Sequence, residues 1–170
     1  KYNNGNVQCF LGTYVDDLPF ASNNPEWNDK FIRDLRKTFK VGSLSPLTQI
    51  LGMEVNQGGE NELFLSQQYY VTDVAKRFGI IDENHNLLVK RVPKVPMASN
   101  FQFTGKDSAP EDSHEYIINQ KLPYAELVGC LNWLARGTRP DISFAVSKLG
   151  AYSANPSKRH WTALTNVLTY

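Results

Sequence analysis

The chain has 170 residues, with 18 Lys and Arg against 17 Asp and Glu, for a net charge of +1. A hydrophobic fraction of 41%, with 12% aromatic residues, is enough for a packed core and argues against wholesale disorder. The near-zero balance excludes a whole-chain field that draws in nucleic acid or anionic lipid, so any such binding has to come from local placement of charge.

In chain order, Val7 to Tyr14 reads as a buried strand, Asp16-Asp17 interrupts it, and Leu18 to Ala21 reads as the return strand. The result is a hairpin with two acids at its tip. Ser22-Asn23-Asn24-Pro25 is a turn and helix start, with Asn24 at the N-cap and Pro25 at the first helical position. The helix from Glu26 to Lys40 carries Trp27, Phe31, Leu35 and Phe39 in one stripe with Ile32 beside it, and Gly42 ends it. Leu47 to Val55 reads as a strand, Gln57 to Asn61 as a turn, and Glu62 to Leu65 as the return strand. Ser66 is expected to cap a helix with Tyr70, Val71, Val74, Ala75 and Phe78 on its apolar face, stopped by Gly79.

Residues 87–123 hold four prolines, scattered charges and little periodicity, so they read as a partly mobile connection, extended over Val92 to Met97. Three amphipathic helices follow. Tyr124 to Ala135 ends near Gly137, the second opens at Pro140-Asp141, and the third opens at Asn155-Pro156 and runs through Trp161 and Leu168. The order predicts an α+β fold with a helical end. No apolar run approaches the ~18 residues of a membrane span, and no signal-peptide pattern is present. Cys9 and Cys130 lie in apolar surroundings without metal-ligand spacing, which reads as two buried reduced thiols of an intracellular protein. The chain opens on Lys1 without Met and closes at Tyr170 inside a helical pattern, so both ends read as cut from something longer.

The sharpest chemical feature is Tyr14-Val15-Asp16-Asp17-Leu18. Adjacent carboxylates on an apolar hairpin repel, and a hard divalent cation such as Mg²⁺ relieves the conflict while keeping sites for water and phosphate. Two such ions about 4 Å apart activate a hydroxyl and stabilise a leaving pyrophosphate. Taken alone, Asp-Asp is equally ordinary turn chemistry.

The ordered blocks along the chain resemble the reverse-transcriptase region of copia-type LTR retrotransposons. Tyr14 to Leu18 is similar to that family's Y-V-D-D-L hairpin. Phe39-Lys40 and Leu51-Gly52-Met53-Glu54-Val55 are similar to its F-K and L-G-I-E-V. Leu65-Ser66-Gln67 with Tyr70, Pro96-Met97, Leu127 to Leu131, Thr138 to Val146, Asn155-Pro156 and His160-Trp161 resemble its later motifs. The resemblance implies a partial polymerase palm over 1–65, made of two β-hairpins with packed helices. It implies a thumb-like helix over 66–86, an extended linker over 87–123, and a small helical thumb or connection region over 124–170.

The same resemblance implies that Asp16 and Asp17 are two of three catalytic, Mg²⁺-binding carboxylates, with Asp16 the more direct ligand. Tyr14 would lie against the nucleotide or primer end. Leu51, Gly52, Met53 and Glu54 would form a primer-grip-like hairpin, where Gly52 is read as allowing close backbone approach or as a bulge or packing glycine. The implied partners are an RNA or DNA template with primer, deoxynucleotides, and the palm, fingers and RNase H segments of a polyprotein. A cytoplasmic particle or the nucleus is the expected location, and no membrane. Lys30, Arg33 and Lys37, with Lys40 nearby, could follow a nucleic-acid backbone, but their helix is interleaved with acids and reads first as a solvated face. Lys90, Arg91 and Lys94 form a second small cluster. Arg139 reads as structural, paired to Asp141, and His160 as a packed helix residue.

Three departures stand out. The family's third catalytic aspartate belongs to a strand before position 1. Pro19 falls in the return strand, where proline removes a ladder donor. Ala125 follows Tyr124, where the family has Arg.

Overall fold

The computed structural model describes every residue except 1, 60, 61, 99, 100, 105, 106 and 112, and describes residues 2–4 by their backbone alone. The chain divides into two compact units, Lys1–Leu65 and Ser66–Tyr170.

The first unit holds two three-stranded sheets and a helix. Strands β1 (Tyr2–Asn4), β2 (Val7–Leu11) and β3 (Phe20–Ser22) form an antiparallel sheet in that order. Strand β1 was not expected, although Gly5-Asn6 is a hairpin signal, and Gly5, the first residue of the turn between Asn4 and Val7, takes a φ of +62°. Helix α1 (Pro25–Thr38) starts as its sequence dictates: Asn24 is extended, and its side chain accepts the Trp27 N–H at 2.9 Å. It stops at Phe39, before Gly42. Phe20 meets Phe31 edge-on at 5.7 Å, and Trp27 stacks on Phe31 at 5.0 Å, which seats α1 on β3. Ile32 is the buried residue of the helix, whereas Phe39 at the end of the expected stripe is exposed.

Strands β4 (Gln49–Ile50), β5 (Met53–Gln57) and β6 (Leu63–Ser66) form the second sheet. The single strand expected over 47–55 is instead a strand, a two-residue turn and a second strand. Leu51 and Gly52 lie at φ +52° and +74°, the sign pattern of a type I′ turn, and Ile50 pairs with Met53 across them. The run Leu-Gly-Met-Glu-Val reads as continuous strand by hydrophobicity, but its glycine turns the chain. Of the expected 57–61 turn, residues 60 and 61 lie outside those described.

The second unit is helical. Helix α2 (Gln68–Arg77) ends at Phe78, with Gly79 at φ +69° behind it. Its N-cap residue is Gln67 rather than Ser66, whose hydroxyl accepts the Gln68 N–H at 3.1 Å. Helix α3 (His114–Asn119), α4 (Tyr124–Gly137), a 3-10 turn over Pro140–Ile142, α5 (Ser143–Gly150) and α6 (Lys158–Thr169) complete it. Leu127, Leu131, Val146, Leu149, Leu164 and Val74 lie at the centre of one buried cluster. Between α2 and α4, Arg77 pairs with Glu126 at 2.9 Å and donates to Cys130 Sγ at 3.0 Å. Burial, with the Cys130 thiol beside it, pushes Tyr70 up to about 12.

The 87–123 stretch contains α3 and is tied to the last helices. Phe103 lies 4.7 Å from the His160 ring, Ser108 donates to Asn155 O at 2.9 Å, and Asp107 pairs with Arg159.

Candidate active-site hairpin

Strands β2 and β3 run toward a turn that carries Tyr14 to Asp17. The register set by Cys9 opposite Ser22, Phe10 opposite Ala21 and Leu11 opposite Phe20 continues unbroken to a bridge between Tyr14 and Asp17. Tyr14 and Asp17 exchange both backbone hydrogen bonds, at 2.9 and 2.8 Å. The tip is therefore Val15-Asp16, not Asp16-Asp17 as the sequence was read. Asp16 sits within the turn, and Asp17 begins the return strand opposite Tyr14.

Val15 has φ +49° and is 89% exposed. A β-branched residue in the left-handed region is a genuine outlier, costing about 1–3 kcal/mol, and it persists only where the surroundings impose it. Here the two bridge hydrogen bonds and the in-register ladder behind them do so.

Pro19 occupies a paired position of this ladder. Gly12 N–H donates to Pro19 O at 2.9 Å, and Pro19 has no N–H to return. The hairpin thus lacks one ladder hydrogen bond two residues behind its acidic turn. A Cβ built at Gly12 would stand 3.3 Å from Pro19 Cγ, so the missing side chain at 12 makes room for the ring at 19.

Asp16, Asp17 and Tyr14 are all exposed, which leaves the two carboxylates open to solutes. Their oxygens are the hard donors that suit Mg²⁺. Among the described residues, no group of three or more His, Cys, Asp or Glu is placed to hold a metal ion. The donor chemistry of the two carboxylates fits a divalent cation.

Leu51 and Gly52 form the β4–β5 turn, and Met53 and Glu54 open β5, half-buried. A Cβ at Gly52 would meet nothing of this chain within 4 Å, and its φ of +74° is the conformation that favours glycine in the turn.

Lys30, Arg33 and Lys37 are exposed on α1 around Asp34. Lys37 bonds Asp34 at 2.7 Å, and the Asp34 carboxyl is held below its ordinary range first by Lys37 and further by Lys30 and Arg33. That carboxylate offsets the stripe, in keeping with a solvated face. Lys90 and Arg91 are exposed in the loop after α2. Arg139 grips Asp141 with its Nε and Nη2 at 3.0 Å and lies over the Tyr170 ring, which makes it a structural pair.

Two polar contacts escaped the sequence reading. Gln67 is 2% exposed, and its Oε1 accepts both the N–H and the hydroxyl of Thr138, at 3.0 and 2.8 Å. A Cβ at Gly137 would fall 2.3 Å from that oxygen. The Leu-Ser-Gln and Thr-Arg-Pro-Asp motifs are therefore two halves of one contact. His160 is fully buried, and its Nδ1 accepts the Ser157 N–H at 3.0 Å while Ser157 Oγ accepts the His160 N–H. This capping box starts α6 at Ser157, past the expected Asn155-Pro156. A serine three residues before the helix histidine was the available signal.

A meander with an acidic, solvent-facing turn, joined to a helical bundle, is the class of protein these observations define. Residues 1–92 match the family described as Reverse transcriptase (RNA-dependent DNA polymerase). The chain belongs to this family, as the reverse-transcriptase region of a copia-type retrotransposon element. It is 33% identical over 158 residues to the retrovirus-related Pol polyprotein from transposon TNT 1-94 of Nicotiana tabacum, covering 92% of this chain and 11% of that one. It is 31% identical to the Pol polyprotein from transposon RE2 of Arabidopsis thaliana, over 98% of this chain and 10% of that one. It is 26% identical to a putative transposon Ty5-1 protein of Saccharomyces cerevisiae, over 95% of this chain and 48% of that one. The chain thus spans about a tenth of these Pol polyproteins and about half of the yeast relative. No solved structure matches it.

Proposed function

We propose that this chain supplies the catalytic hairpin and the duplex-holding helical part of an RNA-directed DNA polymerase that extends a primer with deoxynucleotides on an RNA or DNA template. The observation that carries this reading is the bridged Tyr14–Asp17 turn, which presents Asp16 and Asp17 side by side to solvent from the end of a sheet. In this role residues 1–65 are the later half of a palm and 66–170 a thumb and connecting region. Asp16 is the principal metal ligand and Asp17 the secondary one. Mg²⁺ ions, when bound, activate the primer 3′-hydroxyl and stabilise the departing pyrophosphate. Tyr14, opposite Asp17, lies against the nucleotide or primer end. The Leu51-Gly52 turn, with Met53 and Glu54 behind it, approaches the primer strand, and Lys30, Arg33, Lys37, Lys90 and Arg91 supply weak backbone contacts. Fingers, the rest of the palm and RNase H come from other polyprotein segments, and the work is done inside the cell, in a cytoplasmic particle or the nucleus.

Because the 170 residues carry two of the three carboxylates, the isolated chain is expected to show no primer extension. In the intact polymerase, Asp16→Asn is expected to reduce extension by about a thousandfold or more, since it removes charge stabilisation at the reacting centre. Unchanged extension by that variant would sink the reading.

The missing rung at Pro19 favours a second reading, a non-catalytic nucleic-acid-binding or interaction remnant. It predicts salt-dependent duplex binding that survives conversion of Asp16 and Asp17 to Asn, with no extension by the intact parent.

A further inference from the structure

We propose that the cavity that residues 91–98 and Phe101 form with α6 is a binding site for a small amphipathic anion, an aromatic or apolar body bearing one carboxylate. The cavity measures about 380 Å³, within the roughly 300–1,000 Å³ of pockets that enclose small ligands. Its floor is apolar: Pro96, Met97, Phe101 and Ala163 line it. Met97 and Phe101 pack against the buried helical cluster, and Ala163 belongs to it, so the floor is held in place from behind. Arg91 and Lys94 also line the cavity, with Asn166 from α6.

The charge makes the site selective. Among the described residues the ion pairs use Asp34, Glu83, Glu126, Asp141 and Asp107, and none engages Arg91 or Lys94. Two uncompensated cations beside an apolar hollow complement one anionic group attached to an apolar body. A carboxylate takes a forked, charge-assisted bond from a guanidinium, and the body displaces water from the floor. A bare phosphate chain would satisfy the cations and leave the floor wet. The site shares no residue with the Tyr14–Asp17 hairpin; Arg91 is common to it and the proposed backbone contacts, and the oligothymidylate comparison below separates the two.

The test is calorimetric titration of the full 170-residue chain with 2-naphthylacetate, against neutral 2-naphthylethanol and plain acetate. One saturable site is expected for the acid, with the alcohol and acetate each about tenfold or more weaker. The double variant Arg91→Gln/Lys94→Gln is expected to lose a similar factor, about tenfold. Asn166→Trp, at an exposed position of α6, is expected to obstruct the mouth and weaken binding. Lys121→Gln/Lys148→Gln, at exposed positions away from the cavity lining, is expected to bind as the parent chain does. The proposal fails if no saturable binding occurs or if acid and alcohol bind equally. It also fails if the Arg91/Lys94 variant binds unchanged, which would locate the probe elsewhere on exposed apolar surface. Tighter binding of an oligothymidylate at the same residues would replace it with a nucleic-acid contact.

Discussion

The two units differ most in what they bury. The first, 65 residues long by its bounds, buries Cys9, Ile32 and Val55 as its hydrophobic core, while Phe10, Leu11, Leu18, Leu63, Phe64 and Leu65 stay exposed. Among the described residues, the second closes a cluster of 15 buried apolar side chains, with Leu127, Val146, Leu149 and Leu164 fully removed from solvent. Hydrophobic burial is the main term opposing conformational entropy, so the helical unit is expected to hold its fold alone and the hairpin unit is expected not to. The unit that bears the acidic turn has the smaller buried core, and the helical unit has the larger one.

The comparison can be broken most directly by separating the halves. Residues 66–170 alone are expected to unfold cooperatively, and residues 1–65 alone to give no cooperative transition in thermal melts followed by circular dichroism. A cooperative melt of 1–65 would overturn the contrast. Next in size, Leu164→Ala should cost about 2–5 kcal/mol in urea denaturation of the helical unit. Leu63→Ser, at an exposed position of β6, should stay within about 0.5 kcal/mol.

Gly137→Ala should cost about 1–3 kcal/mol, because the new methyl meets a glutamine oxygen held by two Thr138 bonds. Measuring it in the Gln67→Ala background sharpens the point: the glycine penalty should shrink there.

A pH titration separates the units again. Burial pushes His160 below the usual 6.5 against the opposing pull of Asp107, so the fold prefers the neutral ring. Arg159, which pairs with Asp107, pushes in the same direction as burial. The stabilisation is complete above pH 6.5 and is lost as pH falls from there toward the lower folded-state pKa. Asp107 and Asp141, held below 3.8 chiefly by the Thr104 amide and by Arg139 respectively, add losses only at lower pH. The helical unit's melting temperature should therefore fall as pH drops below 6.5, and His160→Asn should flatten that slope. The smallest effect is expected at Val15→Gly, which relieves a left-handed valine. It should slow amide exchange at Tyr14 and Asp17 by a few-fold, corresponding to about 1 kcal/mol or less.

What the sequence disclosed follows the range of the interactions. Asn24-Pro25 announced α1 because a cap acts within three residues, and the apolar stripes of α2, α4 and α5 announced the core because periodicity is local. The Leu51-Gly52 turn was hidden inside a run of strand-like residues, where one glycine outweighs its neighbours. The Gln67–Thr138 contact spans 71 positions, and no local rule reaches so far. At the hairpin the acids were legible, but their placement was not: the backbone bridge between Tyr14 and Asp17 puts Val15, rather than the second acid, at the tip.

Gly12 and Pro19 make one coupled design choice. A methyl at 12 would stand 3.3 Å from the proline ring, so the ring has to yield by a few tenths of an ångström to admit it. Replacing the proline by alanine would both vacate that space and return a donor to the ladder. Changes at these two facing positions are therefore expected to be non-additive.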